Sequence, residues 1–129
     1  MAKYEFDHLH LTSPDPVKTA EFYQKMLGAR KVATFELNDG RTAIVLNLKG
    51  AIIKVLQPRS DPLLPGTSPT DYGLDHIGVR TDDIVTAIAE LKAQGANFVQ
   101  DLTVTRHAGL KDSIAFVLAP EDVLLEVHD

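Results

Sequence analysis

The chain contains no cysteine. That excludes disulfides, thiolate metal sites and cysteine nucleophiles. It is short of positive charge: Lys and Arg number 13 against 18 Asp and Glu, a formal net charge of −5. No Lys/Arg run interrupts it, so nucleic acid and an anionic membrane surface are poor partners. No apolar run approaches the roughly 20 residues of a membrane span. The opening Met-Ala-Lys-Tyr-Glu lacks the apolar core of a secretion signal. A cytoplasmic protein is the expectation. What is present is an ordinary globular balance, with 44% hydrophobic and 24% charged residues in 129 positions. That is enough chain for one domain with its own core, and not a disordered composition.

One stretch is written twice. Phe6-Asp7-His8-Leu9-His10-Leu11 and Leu74-Asp75-His76-Ile77-Gly78-Val79 align without a gap as apolar, Asp, His, apolar, any, apolar. The second copy opens the second half of the chain.

Residues 4–11 alternate in a strand-like way, with Tyr4, Phe6, His8 and His10 on one face. Asp15 is a good helix N-cap and Pro16 suits the first helical position. Val17, Ala20, Tyr23 and Leu27 recur at helical spacing until Gly28 stops the run. Residues 31–37 read as a strand, Asn38-Asp39-Gly40 as a hairpin turn, and 41–48 and 51–57 as two further strands. The stretch 58–73, with four prolines and Gly66 and Gly73, reads as a linker. The second half repeats the order: a strand over 74–80, and a helix capped by Thr81-Asp82-Asp83 and ended by Gly95. Strands follow over 97–105, 113–119 and 123–128, with a loop over 106–112.

The copies match beyond their starts. Asp15 and Asp83 stand at the same distance after their histidines, and Gly28-Ala29 matches Gly95-Ala96. Gly50–Val55 matches Asp122–Val127. The pattern is an internal duplication: one domain over 1–129, with module one at 4–57 and module two at 74–128, each βαβββ. A single helix leaves apolar sheet surface uncovered, so each unit needs the other.

Asp7-His8, Asp15-Pro16-Val17-Lys18 and Phe22-Tyr23 through Leu27-Gly28 resemble the opening of the vicinal oxygen chelate superfamily. That group includes glyoxalase I, methylmalonyl-CoA epimerase, extradiol dioxygenases, fosfomycin-resistance thiol transferases and bleomycin-binding proteins. Asp75 to Val79 resembles its second-module opening, and Val55-Leu56-Gln57-Pro58 and Leu124–Val127 its module-ending strands. The resemblance covers nearly the whole chain. It implies an α+β fold of two βαβββ modules forming an open curved sheet with a cleft. It speaks weakly about the reaction, since the fold hosts many chemistries.

The resemblance also implies a metal site: His8 and His76 from the first strands, and Glu126 from the last. Two imidazoles and a carboxylate leave up to three positions for water and a substrate that chelates through two adjacent oxygens. Fe(II), Mn(II), Ni(II), Co(II) and Zn(II) all suit such donors. The position matching Glu126 in module one is Lys54, where the family often has Glu or Gln. An ammonium cannot ligate. If it points into the site, Lys54 acts as a neutral base or binds an anionic substrate. The four-ligand sets of glyoxalase I and of the epimerase are therefore not met. The His-His-Glu set matches ring-cleaving dioxygenases and the thiol transferases, but the latter's substrate-binding tail is absent after Glu126.

His10 shares a face with His8, and His128 a face with Glu126. His10 is a candidate acid/base group; His128 reads as a frayed surface side chain. His107 in the 106–112 loop and Arg41 are candidate substrate contacts, with a Glu36–Arg41 surface pair as the plainer alternative for Arg41. Tyr72 and the linker are candidates for a lid or an interface. Three functions stay open: a metalloenzyme leaning to an Fe(II) dioxygenase-type site, a glyoxalase- or epimerase-like lyase or isomerase with Lys54 or His10 as base, and a metal-free drug-binding protein. A homodimer is the expected assembly.

Overall fold

The computed structural model describes residues 1–60, 72–107, 110–120 and 123–129, the side chains of 105–107, 110 and 111 excepted. The class is α+β, and the described residues form eight strands and two helices in the order β1 (Tyr4–Thr12), α1 (Pro16–Leu27), β2 (Arg30–Glu36), β3 (Thr42–Leu48), β4 (Ala51–Leu56), β5 (Gly73–Thr81), α2 (Ile84–Ala93), β6 (Asn97–His107), β7 (Leu110–Ala119) and β8 (Val123–His128). This is βαβββ twice, as the sequence pattern predicts.

The chain divides into two compact units, residues 8–75 and residues 1–7 with 76–129. In the first, the strand order is β2-β3-β4-β1. β1 and β4 run parallel, with His10 opposite Lys54, while β4 returns antiparallel beside β3, with Val45 opposite Lys54. A parallel neighbour needs a long crossover, which α1, β2 and β3 supply. α1 starts where the sequence says: Asp15 accepts a hydrogen bond from the Lys18 N–H at 3.1 Å. It ends at Gly28, whose φ of 74° is left-handed and whose N–H reaches Gln24 O at 3.0 Å. Ala20 of the helix packs with Ile44, Leu46, Ile53 and Val55 of the sheet, with Leu11 and Tyr23 at the edge of this core.

The second unit repeats the plan with the order β5-β8-β7-β6. β5 and β8 are parallel, with Gly78 opposite Glu126. Asp83 caps α2 through Thr86. Ile84 and Ile88 pack on Ala115 and Val127, beside Val79, Leu91 and Phe98.

One expectation fails here. The loop over 106–112 is mostly ladder: β6 runs to His107 and β7 begins at Leu110, with Thr105 opposite Asp112 and Arg106 opposite Lys111. Backbone pairing extends past the point where apolar alternation stops. Most of the linker, 61–71, lies outside the described residues, and with it most of the expected lid; Tyr72 is described and exposed.

Candidate functional site

In the unit of residues 8–75, alternation decides what each face carries. Leu11, Ile53, Val55, Ile44 and Leu46 point to α1. Their neighbours therefore take the opposite face: His8, His10 and Thr12 on β1, Lys54 on β4, Val45 on β3. His8 is 1% exposed and His10 5%. Lys54 is half-buried. The register sets Val45, Lys54 and His10 in one row across three strands.

Asp75 belongs to this unit and anchors a network that the sequence does not announce. Arg59 donates two parallel hydrogen bonds to it, Nη1 to Oδ1 at 2.7 Å and Nη2 to Oδ2 at 2.8 Å. Thr12 Oγ1 donates to Oδ1 at 3.2 Å. His10 Nδ1 lies 3.8 Å from Oδ2, an ion-pair distance rather than a hydrogen bond. Arg59 lies in the linker, where no periodicity marks it. The repeated Asp of the Asp-His pair was the available signal.

In the other unit, Val79 and Val127 face α2, so His76, Glu126 and His128 take the other face. His76 is 2% exposed and stands edge-on to Phe116, ring centroids 5.2 Å apart. Its Nε2 lies 3.4 Å from Glu126 Oε2. Gly78, opposite Glu126, puts no side chain beside that carboxylate. The expected metal ligands His76 and Glu126 are thus brought together, while His8 stands buried in the unit of residues 8–75.

Asp7 is the second acidic anchor. Arg80 Nη2 donates to its Oδ1 at 2.8 Å, and His128 Nε2 lies 3.0 Å from its Oδ2. The expectation of a frayed His128 is corrected: it is 7% exposed, paired in β8 opposite Ile114, and held against Asp7. The duplication shows in these contacts. Asp7 and Asp75 hold the same place in the two copies, as do Thr12 and Arg80, and each unit pairs one of those donors with one of those acids.

The expected Glu36–Arg41 pair is replaced. Arg41 Nε donates to Asp39 Oδ2 at 2.8 Å within the turn, and its Nη1 to Gln57 O at 3.4 Å; Glu36 sits opposite Thr42. Burial alone pushes the Asp39 carboxyl up, but the hydrogen bonds and charge of Arg41 outweigh it, and the net shift is downward. His107 ends a strand rather than lying in a loop, and its side chain lies outside the described residues.

The donor chemistry fits a divalent ion. The 3.4 Å between His76 and Glu126 is long for a charge-assisted hydrogen bond of about 2.7–2.9 Å. It is near the separation of about 3 Å expected for two adjacent ligands with bonds of about 2.1 Å. Neutral imidazole and carboxylate are the donors that first-row divalent metals take.

Comparison with known proteins agrees with this architecture. The sequence model described as Glyoxalase/Bleomycin resistance protein/Dioxygenase superfamily matches residues 7–116. No curated protein matches the chain. Among solved structures, the hypothetical protein BH1468 of Bacillus halodurans C-125 is similar at 21% identity and TM-score 0.77, covering 98% of this chain and 94% of that one. Methylmalonyl-CoA epimerase of Mycobacterium tuberculosis is similar at 24% identity and TM-score 0.72, covering 95% and 85%. A Streptomyces coelicolor methylmalonyl-CoA epimerase in complex with 2-nitronate-propionyl-CoA is similar at 25% identity and TM-score 0.73, covering 96% and 92%.

Proposed function

Because the chain belongs to the Glyoxalase/Bleomycin resistance protein/Dioxygenase superfamily, we propose that it is a divalent-metal enzyme that moves a proton on a small substrate with two adjacent oxygens. The proposed ligands are His8, His76 and Glu126. The observation that carries this reading is the buried His76 Nε2 set 3.4 Å from Glu126 Oε2. Repeat equivalence and burial of His8 add to it.

A bound Fe(II), Mn(II), Ni(II), Co(II) or Zn(II) ion would draw charge from the chelating oxygens and acidify the neighbouring C–H. His10 is the proposed base. It follows His8 on the same face, and a carboxylate lies 3.8 Å from its Nδ1. Asp75 is itself fixed by Arg59 and Thr12, so the imidazole has a stationary partner while it takes a proton from carbon and returns it. Arg41, which reaches the end of β4 at Gln57, and His107 are proposed outer substrate contacts. The epimerases among the solved structures support proton transfer, since a carbon centre flanked by carbonyl groups is inverted most simply by removing its proton and returning it.

A second reading rests on the ligand set. Two histidines and one glutamate, with Lys54 in place of a fourth ligand, also suit an Fe(II) dioxygenase. We propose a cytoplasmic homodimer in either case; no described helix is long and apolar enough to cross a membrane. Exposed Phe22 and Met26, one turn apart on α1, support a partner surface.

Metal analysis of protein purified without chelator tests the proposal. About one ion per chain is expected, and His76→Ala and Glu126→Gln each lose it. Substoichiometric metal, with a Tm unmoved by added Fe(II), Mn(II), Ni(II) or Zn(II), leaves the metal-free drug-binding alternative. Oxygen uptake with catechols, against deuterium exchange into 2-substituted malonyl thioesters, then separates dioxygenase from proton transfer.

A further inference from the structure

The sheet face that carries His8 can be laid out strand by strand from the ladder register. One row holds Val45, Lys54 and His10. The row on one side holds Ala43, Leu56 and Thr12. On the other side Asn47 stands opposite Ile52, and continuing the parallel register by one residue sets His8 beside Ile52. Lys54 is the middle of this grid. Its neighbours are apolar, amide, hydroxyl and imidazole groups; none is an acid.

Within residues 8–75, Asp75 is the acid that bonds to this face, through Thr12. Its two oxygens already receive the Arg59 fork at 2.7 and 2.8 Å. Arg41, the other cation at this end of the sheet, is matched by Asp39 at 2.8 Å. Among the described residues the Lys54 side chain forms no ion pair and no hydrogen bond. A half-buried ammonium without a counter-charge costs desolvation that nothing in its unit returns. A ligand that brings a negative charge would return it.

We infer that Lys54 is an anion-recognition residue, and that the substrate carries a carboxylate beside its chelating oxygens. The inference deepens the metal-enzyme reading and rests on it for the chelating part. A single ammonium, set between Val45 and His10, matches one negative charge. A phosphate would call for several donors or an Arg fork, and the fork present is engaged by Asp75. Lys54 therefore binds, and the proton is left to His10.

Malonate is the probe, with uncharged malonamide as its control, titrated calorimetrically into metal-free and Mn(II)-loaded protein. Malonate binds, and malonamide at least about tenfold more weakly, the weight of one charge-assisted hydrogen bond. Lys54→Met weakens malonate by about tenfold and leaves malonamide unchanged; Lys54→Arg retains most of the affinity. The Tm of Lys54→Met stays level or rises, because an uncompensated charge is removed. Malonate binding that ignores Lys54→Met, no malonate binding in either form, or a fall in Tm each overturns the inference. Failure of Mn(II) to bind, with malonate still dependent on Lys54, defeats the metal reading alone. Mn(II) binding with malonate indifferent to Lys54 defeats this one alone.

Discussion

Arg59 and Asp75 meet through two parallel hydrogen bonds of 2.7 and 2.8 Å, both side chains mostly removed from solvent. Such a fork fixes both partners at once. Arg59→Met removes the fork from the Asp75 carboxylate and is expected to cost about 2–3 kcal/mol, below the roughly 3–5 of a fully buried pair. Arg59→Met with Asp75→Leu recovers part of the loss, because no stranded charge remains. Urea denaturation of the two single variants and the double variant measures it; additive losses would show the fork to be incidental.

The left-handed Gly28 gives a second prediction. A Cβ there would meet nothing within 4 Å, so the cost of Gly28→Ala is backbone strain alone, about 1 kcal/mol. Gly28→Asn is expected to cost less, since Asn tolerates this region. A loss of several kcal/mol would point to a steric role that the geometry does not contain.

Packing gives a third. Leu46 on β3 is fully buried in the cluster with Ala20, Ile53 and Val55, and Leu46→Ala is expected to cost about 2–5 kcal/mol. Phe22 on the same helix is exposed, and Phe22→Ala in the isolated chain costs under about 1 kcal/mol. If the two losses are measured as equal, the helix face is misassigned.

Acid stability gives a fourth. Hydrogen bonds from the Thr86 backbone and hydroxyl hold the Asp83 carboxyl below its ordinary value, and the Lys92 hydrogen bond, then the Leu102 N–H, do the same for Asp101. A folded-state pKa below the unfolded one adds stability above the unfolded value of about 4, and loses it as pH falls through the folded value. Tm is expected to fall below about pH 4, less steeply for Asp83→Asn. A profile flat to pH 2.5, read by circular dichroism, contradicts it.

How much of this the sequence could tell depends on range. α1 was legible because its signals are local: an acid that caps, a proline at the first turn, a glycine that turns left. The repeated histidines were legible because the chain writes them twice. The β6–β7 ladder was not, since Thr105, Arg106 and His107 pair through backbone and leave no apolar period to read. Arg59 was hidden for another reason. Its fork reaches a carboxylate sixteen positions on, and spacing in a proline-rich stretch carries no trace of it. His128 looked peripheral by its place in the chain, yet Asp7 at the other end of the sequence holds it.

The two compact units do not follow the order of synthesis. Residues 8–75 form one continuous unit, but residues 1–7 belong with 76–129. A chain emerging N-terminus first can fold the continuous unit while the second half is still being made. Tyr4 to Asp7 must wait, because Arg80 and His128, the partners of Asp7, arrive later. The segment made first is therefore completed last, and a pause in translation between the modules would leave the leading strand half-zipped, with Phe6 and Asp7 still without the half of the protein they belong to.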